Sequence, residues 1–474
     1  MRIAAIDQGT TSTRVLIADG SETRLLHSVE HSQNFPHQGW VEHDPEQLIN
    51  NITTCLDAVD TVGTVDCIGI GNQGESCLAW DAQTKQAITP VIVWQDNRTA
   101  EAIEKYKVEG AEALTLERAG LPLDPYFSAS KLGWIIENSK EAKERLKAGR
   151  LRLGTTDAFF LDRLSGTFAT DITTASRTSL MNLATASWDE DLCRLFGVPI
   201  DALPPIYPTV SNFGSVSLGG RDIPITASVV DQQAALYGHG CRTTGDAKLT
   251  FGTGAFALAV TGNQIIQASE EGLLPTVAWK IKDDAPIYAL DGGVYNAGSA
   301  VNWARSLGLF SSFNEIDAFD ASPAIQRGLA FVSALSGLAC PYWDRSAAGL
   351  WIGLSLDTSS KDMMQALLEG IAFRAAEVIE AMNGHVPIGN TLSVDGGMSA
   401  NSYFCQFLAN LLGREIIVQD MPELTALGVA MFAADGSINV IPTNETAKHY
   451  EPKQVLHDWK ERFRDAVNRS RNWR

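Results

Sequence analysis

The chain has 474 residues, more than one hydrophobic core usually serves, so two or three domains are expected. Its 56 acidic residues outnumber 37 basic ones and leave a formal charge of −19. That balance argues against nucleic acid or an anionic membrane as a partner held through a general basic surface, and an anionic ligand would need a locally arranged site. The seven cysteines are odd in number and show no C-x-x-C spacing, and the eight histidines show no ligand spacing. His31, His37 and His43 read as a surface loop. The N-terminus, MRIAAIDQGTT, runs straight into a strand without a signal-peptide pattern, and no apolar run approaches a membrane span. A cytoplasmic protein with reduced core thiols is expected.

In chain order, strands are expected at Ile3–Asp7, Arg14–Asp19, Cys67–Gly71, Pro90–Trp94, Ile225–Val230, Lys248–Gly254, Ile287–Leu290 and Leu392–Gly397. Helical runs alternate with them, which predicts an α/β class. The clearest helix is Met364–Met382, with apolar residues at steps of three and four, a cap at Ser359 or Ser360 and a stop at Asn383-Gly384. The chain also repeats its own plan. Asp7-Gln8-Gly9-Thr10-Thr11 joins two strands by a Gly/Thr turn, and Gly252-Thr253-Gly254 does the same near the middle. Asp231-Gln232-Gln233, Asp291-Gly292-Gly293 and Asp395-Gly396-Gly397 follow strands in the two halves. Two α/β halves facing a cleft are predicted, with the boundary near residues 238–244, giving domains 1–240 and 241–474 and a last helix that packs back on the first domain.

Neither hairpin is a P-loop, because G-x-x-x-x-G-K-[ST] is absent. Glycine lets the backbone approach an anion, and Thr and Ser supply donors, while an Asp at a strand end can hold a hydrated divalent cation against phosphates. One such turn is as readily an ordinary hairpin; two of them closing on one polyphosphate is the more economical reading. Asp231 follows the apolar run Ile225–Val230, where a carboxylate can act as a base on a substrate hydroxyl or can cap the next helix through Gln233 and Ala234. Trp94 ends another strand and is followed by Gln95, Asp96, Asn97 and Arg98. Its indole suits either the apolar face of a polyol or the core. Ile68–Ser76, IGIGNQGES, begins as a buried strand and breaks into polar groups around Gly74, which reads as one wall of a hydroxyl-binding pocket with Glu75 as its contact.

DQGTTSTR, GNQGES, VWQDNRTA, VDQQAALYG, KLTFGTG, LSGLACPYWDRSAAG, VDGGMSAN and ELTALGVA occur in this order along essentially the whole chain. In them the sequence resembles the FGGY carbohydrate kinases, nearest to the glycerol kinases among them. The resemblance implies two actin/Hsp70-like (ribonuclease H-like) domains closing on ATP and a polyol across a central cleft, with a homodimer or homotetramer as the assembly. It implies ATP-dependent phosphorylation of a terminal hydroxyl of glycerol or a related polyol or small sugar. Asp231 would be the general base and Asp7 would hold Mg²⁺. Thr10, Thr11, Ser12, Arg14 and Thr253 would lie at the phosphates, and Gly298, Asn302, Gly397 and Asn401 would line the nucleotide site. The polyol would touch Glu75, Trp94, Tyr126, Asp231, Gln232 and Phe251.

There is one departure. Glycerol kinases carry Asn-Gln-Arg-Glu-Thr where this chain has Asn72-Gln73-Gly74-Glu75-Ser76. A hydrogen bond from a charged donor is worth about 1.5–3 kcal/mol, roughly ten- to a hundred-and-fifty-fold in affinity. Its loss favours a longer polyol or a ketose, such as a tetritol, a pentitol or xylulose, as the alternative acceptor. The loop Ser211–Ile225 also lacks the basic, glycine-rich form associated with fructose-bisphosphate inhibition. A more remote alternative is a non-catalytic ATP switch of the same fold, against which the polar set Glu75, Trp94, Asp231 and Gln232 argues, since a switch needs no polyol pocket.

Overall fold

The computed structural model describes residues 1–20, 22–421, 423–435, 447–453 and 457–474. Arg2–Gln8, Ser12–Asp19 and Glu22–Glu30 form an antiparallel meander, because each run is apolar on the face it buries. The fully buried strand Cys67–Asn72 then adds in parallel to the first, and Arg221–Val230 adds in parallel to that. Ser215–Leu218 completes a six-stranded sheet. The second half repeats the plan. Ala247–Phe251, Ala255–Gly262 and Ile287–Val294 make the meander, Thr391–Asp395 joins Ala247–Phe251 in parallel, and Glu415–Val418 joins Thr391–Asp395. With Leu274–Trp279 and Lys448–Tyr450 this sheet has seven strands among the described residues.

Helices Asp231–Gly238 and Leu424–Ala433 lie between the sheets in one apolar cluster that includes Ala5, Val229, Leu258 and Trp279. Glycine sets their separation: a Cβ on Gly238 would stand 1.9 Å from the Leu424 carbonyl oxygen, and one on Gly428 would stand 1.8 Å from that of Ala234. Gly69 and Gly71 give the same access to the first sheet, where a Cβ would meet the Val429 methyls at 2.8 Å. The glycines of Ile68–Gly71 thus serve helix packing, not a ligand.

The long helix runs Ser360–His385, with Ser359 capping in a box with Asp362. It passes the expected stop at Asn383-Gly384 and ends where Val386 turns extended before Pro387, as a pre-proline residue must. The last helix, His457–Ser470, buries Phe463, Ala466 and Val467 in the second half's core. The helix that reaches back onto the first sheet is Leu424–Ala433, whose apolar residues cover it. Pro90–Trp94 shortens to the strand Val91–Ile92, part of a small sheet with Glu42–His43, Cys77–Asp81 and Leu151–Thr155. Residues 73–214 form an excursion between Cys67–Asn72 and Ser215–Leu218, two strands of the first sheet. All seven cysteines are buried free thiols, and among the described residues no helix is long and apolar enough to cross a membrane.

Candidate active site

Parallel strands bring their carboxyl ends to one edge. Gln8 and Val230 both stand in register with Asn72, which places Asp7, the stretch Gln73–Ser76 and Asp231 side by side. In the other sheet Thr250 pairs with Asp395, so Gly252–Gly254 and Gly396–Gly397 share an edge too. The turn carbonyls of both hairpins are occupied. The His31 N–H donates to Thr11 and the His31 ring to Thr10, both at 3.0 Å. The N–H groups of Ala297, Gly298 and Ser299 donate to Thr253, Gly252 and Thr253, each at 3.0 Å. With their oxygens quenched, the turns offer donors to an anion. His31 and His43 are therefore not surface residues: both are buried beneath the first hairpin, their rings 4.9 Å apart, and burial pushes His31 down to about 4, so it stays neutral.

A cavity of 130 Å³ is lined by Thr10, Glu75, Trp94, Tyr126, Asp231 and Gln232. Asp231 does not cap its helix through Gln233 or Ala234; among the described residues its Oδ1 accepts only the Gln232 N–H, at 2.7 Å, which leaves the carboxylate for the cavity. Gln232 Oε1 accepts from the buried Lys248 at 2.7 Å, so its amide NH₂ is the group left for a substrate oxygen. Trp94 faces the cavity, not the core, and its indole donates to Thr10 Oγ1 at 3.2 Å. Tyr126 packs edge-on against it, ring centroids 5.5 Å apart. One buried lysine ties both loops: Lys131 Nζ donates to the carbonyls of Trp94 at 3.1 Å and Tyr126 at 3.0 Å. Burial pushes Lys131 down to about 8.

Phe251 is not in this cavity. Strand alternation turns it into the core against Phe404, 4.8 Å between centroids, and the ring that reaches the acceptor cavity is Phe256, just beyond the turn. Gly74 does not have a left-handed backbone; Glu75 does, at φ +59°, a conformation that costs a non-glycine residue energy and is kept where a site needs it. Gly74 is small for another reason: a Cβ there would lie 2.7 Å from Val230 Cγ2. Val230 fills that space, so a side chain at 74 would have to displace it. Asn72 and the side-chain oxygen of Gln73 are spent internally. Asn72 donates to the Gln73 carbonyl at 3.1 Å and accepts from Thr174 at 3.3 Å, and Gln73 accepts from Ser76 at 3.3 Å.

Arg177, which sequence reasoning missed, and Asp291, which it saw only as part of a repeated pattern, complete the cavity. Arg177, 5 % exposed, donates from Nε to Glu75 at 2.7 Å and pairs through Nη2 with Asp291 at 2.9 Å. Burial opposes its charge, but the Glu75 and Asp291 carboxylates more than offset that and hold it protonated. Burial likewise raises Glu75, with Arg177 opposing. Asp231 is pushed up to about 7 by burial and then by the charge of Asp7, and Asp7 up to about 6 by burial against the pull of Arg14. Arg14 turns to Glu423, at 3.0 Å, at the start of the helix Leu424–Ala433.

A second cavity, 560 Å³, takes in Thr253, Gly298, Asn302, Gly397 and Asn401, with Val301, Leu368 and Met398 as apolar wall. The Asn401 amide is committed to structure: it donates to the Ile316 carbonyl and accepts the Phe404 N–H, both at 2.7 Å. Its part is to hold the wall.

The family model of the FGGY carbohydrate kinase N-terminal domain matches residues 2–238, and that of the C-terminal domain matches residues 247–436. The chain belongs to the FGGY family of carbohydrate kinases. Among its FGGY relatives, glycerol kinase of Geobacter sp. (strain M21) is 40% identical over 460 residues, covering 94% of this chain and 92% of that one. Glycerol kinase 1 of Pseudomonas aeruginosa is 40% identical over 443 residues, 91% of this chain and 89% of its own. The crystal structure of Plasmodium falciparum glycerol kinase with ADP superposes with a TM-score of 0.91 at 31% identity, over 99% of this chain and 98% of that chain. Gluconate kinase of Lactobacillus acidophilus, at 21% identity and a TM-score of 0.86 over 99% and 96%, shares the fold. Two sheets, each led by a Gly/Thr hairpin and separated by paired helices, are thus the actin/Hsp70-like halves of an FGGY kinase.

Proposed function

We propose that this FGGY kinase transfers the γ-phosphoryl group of ATP to a terminal hydroxyl of glycerol or a closely related polyol. The observation that carries the reading is the position of Asp231, which shares one small cavity with Thr10 of the first phosphate hairpin and with Glu75, Trp94 and Gln232. The acceptor oxygen binds phosphorus as the bond from phosphorus to the β–γ bridging oxygen breaks, ADP leaves with that electron pair, and Asp231 takes the hydroxyl proton. Thr11, Ser12 and Thr253 support the phosphates from the two hairpins. Arg14 reaches them by leaving Glu423. The adenosine end occupies the 560 Å³ cavity, and the halves 1–240 and 241–474 close on both substrates.

Asp7 fits a Mg²⁺ ion. Its half-buried carboxylate takes no side-chain hydrogen bond among the described residues, and among those residues no cluster of three His, Cys, Asp or Glu could cage an ion alone. One carboxylate with nucleotide phosphates and water is the donor set Mg²⁺ accepts. When bound, it offsets phosphate charge.

ADP release from ATP–Mg²⁺ should depend on added polyol; hydrolysis at the same rate without an acceptor would count against the reading. Asp231 must be ionised to take the proton. Activity is therefore complete above its raised value and lost as pH falls: kcat/KM should drop with unit slope below about 7. A flat profile from pH 8 to pH 5 would exclude Asp231 as the base.

A further inference from the structure

The acceptor cavity does not end at Arg177. A chamber of 270 Å³, about twice its 130 Å³, continues from it and shares Trp94, Tyr126, Arg177, Phe256 and Asp291 as lining. Phe127, Leu274, Tyr295 and Trp343 extend its walls. Two buried donors there have no hydrogen-bond partner among the described residues: Arg177 Nη1 and the Tyr295 hydroxyl. Buried donors are nearly always satisfied, so two unsatisfied ones on the walls of one chamber point to a ligand's oxygens.

We propose, resting on the kinase reading above, that this chamber is a distal subsite selecting neutral acyclic polyols of four or more carbons. Arg177, Asp291 and Tyr295 read the chain beyond its third carbon. The aromatic walls suit its CH faces, and a hydroxyl can accept from Arg177 Nη1 or Tyr295 while donating to Asp291. Charge selects the class. Arg177 is already paired with Glu75 and Asp291, and Arg345 with Asp124 at 2.7 Å. Among the chamber's lining residues Asp124 and Asp291 balance Arg177 and Arg345, each guanidinium already in an ion pair, so no unpaired cation awaits an acid end. The departure at Gly74 takes on a different meaning: Val230 occupies that corner, and the added room lies in the chamber that Arg177 also lines.

The test compares kcat/KM for glycerol, erythritol and xylitol, with saturating ATP–Mg²⁺, in the parent and in Tyr295→Phe. Erythritol should exceed glycerol at least tenfold. Tyr295→Phe should lower the erythritol-to-glycerol ratio about five- to tenfold, the worth of one neutral hydrogen bond. Glucitol should be preferred to gluconate. Glycerol matching or exceeding both longer polyols, or a Tyr295→Phe variant that changes all acceptors by one factor, would overturn the subsite and make the chamber a mere passage. Gluconate equal to glucitol would overturn its neutral class. If no acceptor supports ADP release, the kinase reading itself falls, a result distinct from all of these.

Discussion

Asp231→Asn should lower kcat by about 10²–10⁴, the usual share of a positioned base, while the affinity for ATP changes by less than about threefold. Asparagine keeps the shape and can still accept the Gln232 N–H, but it cannot take a proton. The adenosine cavity lies on the other sheet, so nucleotide binding has no reason to change. Stability provides the control. The folded Asp231 titrates near 7, far above its unfolded value, so its contribution to stability is full at low pH and is lost as pH rises through 7. Removing that desolvated charge should therefore raise the melting temperature at pH 8 and leave it almost unchanged near pH 3. An inactive variant that melts at or above the parent at pH 8 locates the loss in chemistry. Turnover within tenfold of the parent would remove Asp231 from the mechanism.

Arg177→Met is expected to be the most destabilising single change in the site, about 3–5 kcal/mol at pH 8, because breaking a buried ion pair leaves its partners charged and unpaired. Here there are two partners, Glu75 and Asp291, one from each half of the molecule. Burial already raises the Glu75 carboxyl, so the loss should shrink as pH falls and that group takes up a proton. Arg177→Met with Glu75→Gln should recover part of the stability without recovering activity. Chemical denaturation at pH 8 and pH 5 measures all three. A single variant as stable as the parent, or a double variant no better than the single, would mean that Arg177 does not hold the pocket together.

What could be read in the chain followed its local logic. Asp7–Arg14 and Gly252–Gly254 are hairpins with turn residues that announce them, and Asp231 follows an apolar strand whose end must reach the sheet's edge. Arg177 carries no such signal. It lies in TASRTSL, inside the 73–214 excursion, and meets Glu75 only because a helical turn at Ile172–Ala175 is packed beneath the same sheet edge. Asp291 was visible as part of a repeated Asp-Gly-Gly pattern, but its partner was not. Phe251 and Phe256 flank one turn, and which of them faces the cleft depends on strand alternation across it. His31 looked like loop because its burial comes from the hairpin folded over it. Gly74 was legible as an anomaly, while its cause, Val230, lies on another strand 156 positions away (230 − 74).

The most direct measurement is phosphorus NMR of the protein with ATP, Mg²⁺ and a polyol, following where the γ-phosphoryl group goes. One phosphate monoester on a terminal carbon should appear for each ADP, with no orthophosphate, and without polyol the ATP should persist. Orthophosphate accumulating at the rate of ADP, with or without polyol, would contradict phosphoryl transfer to a bound hydroxyl.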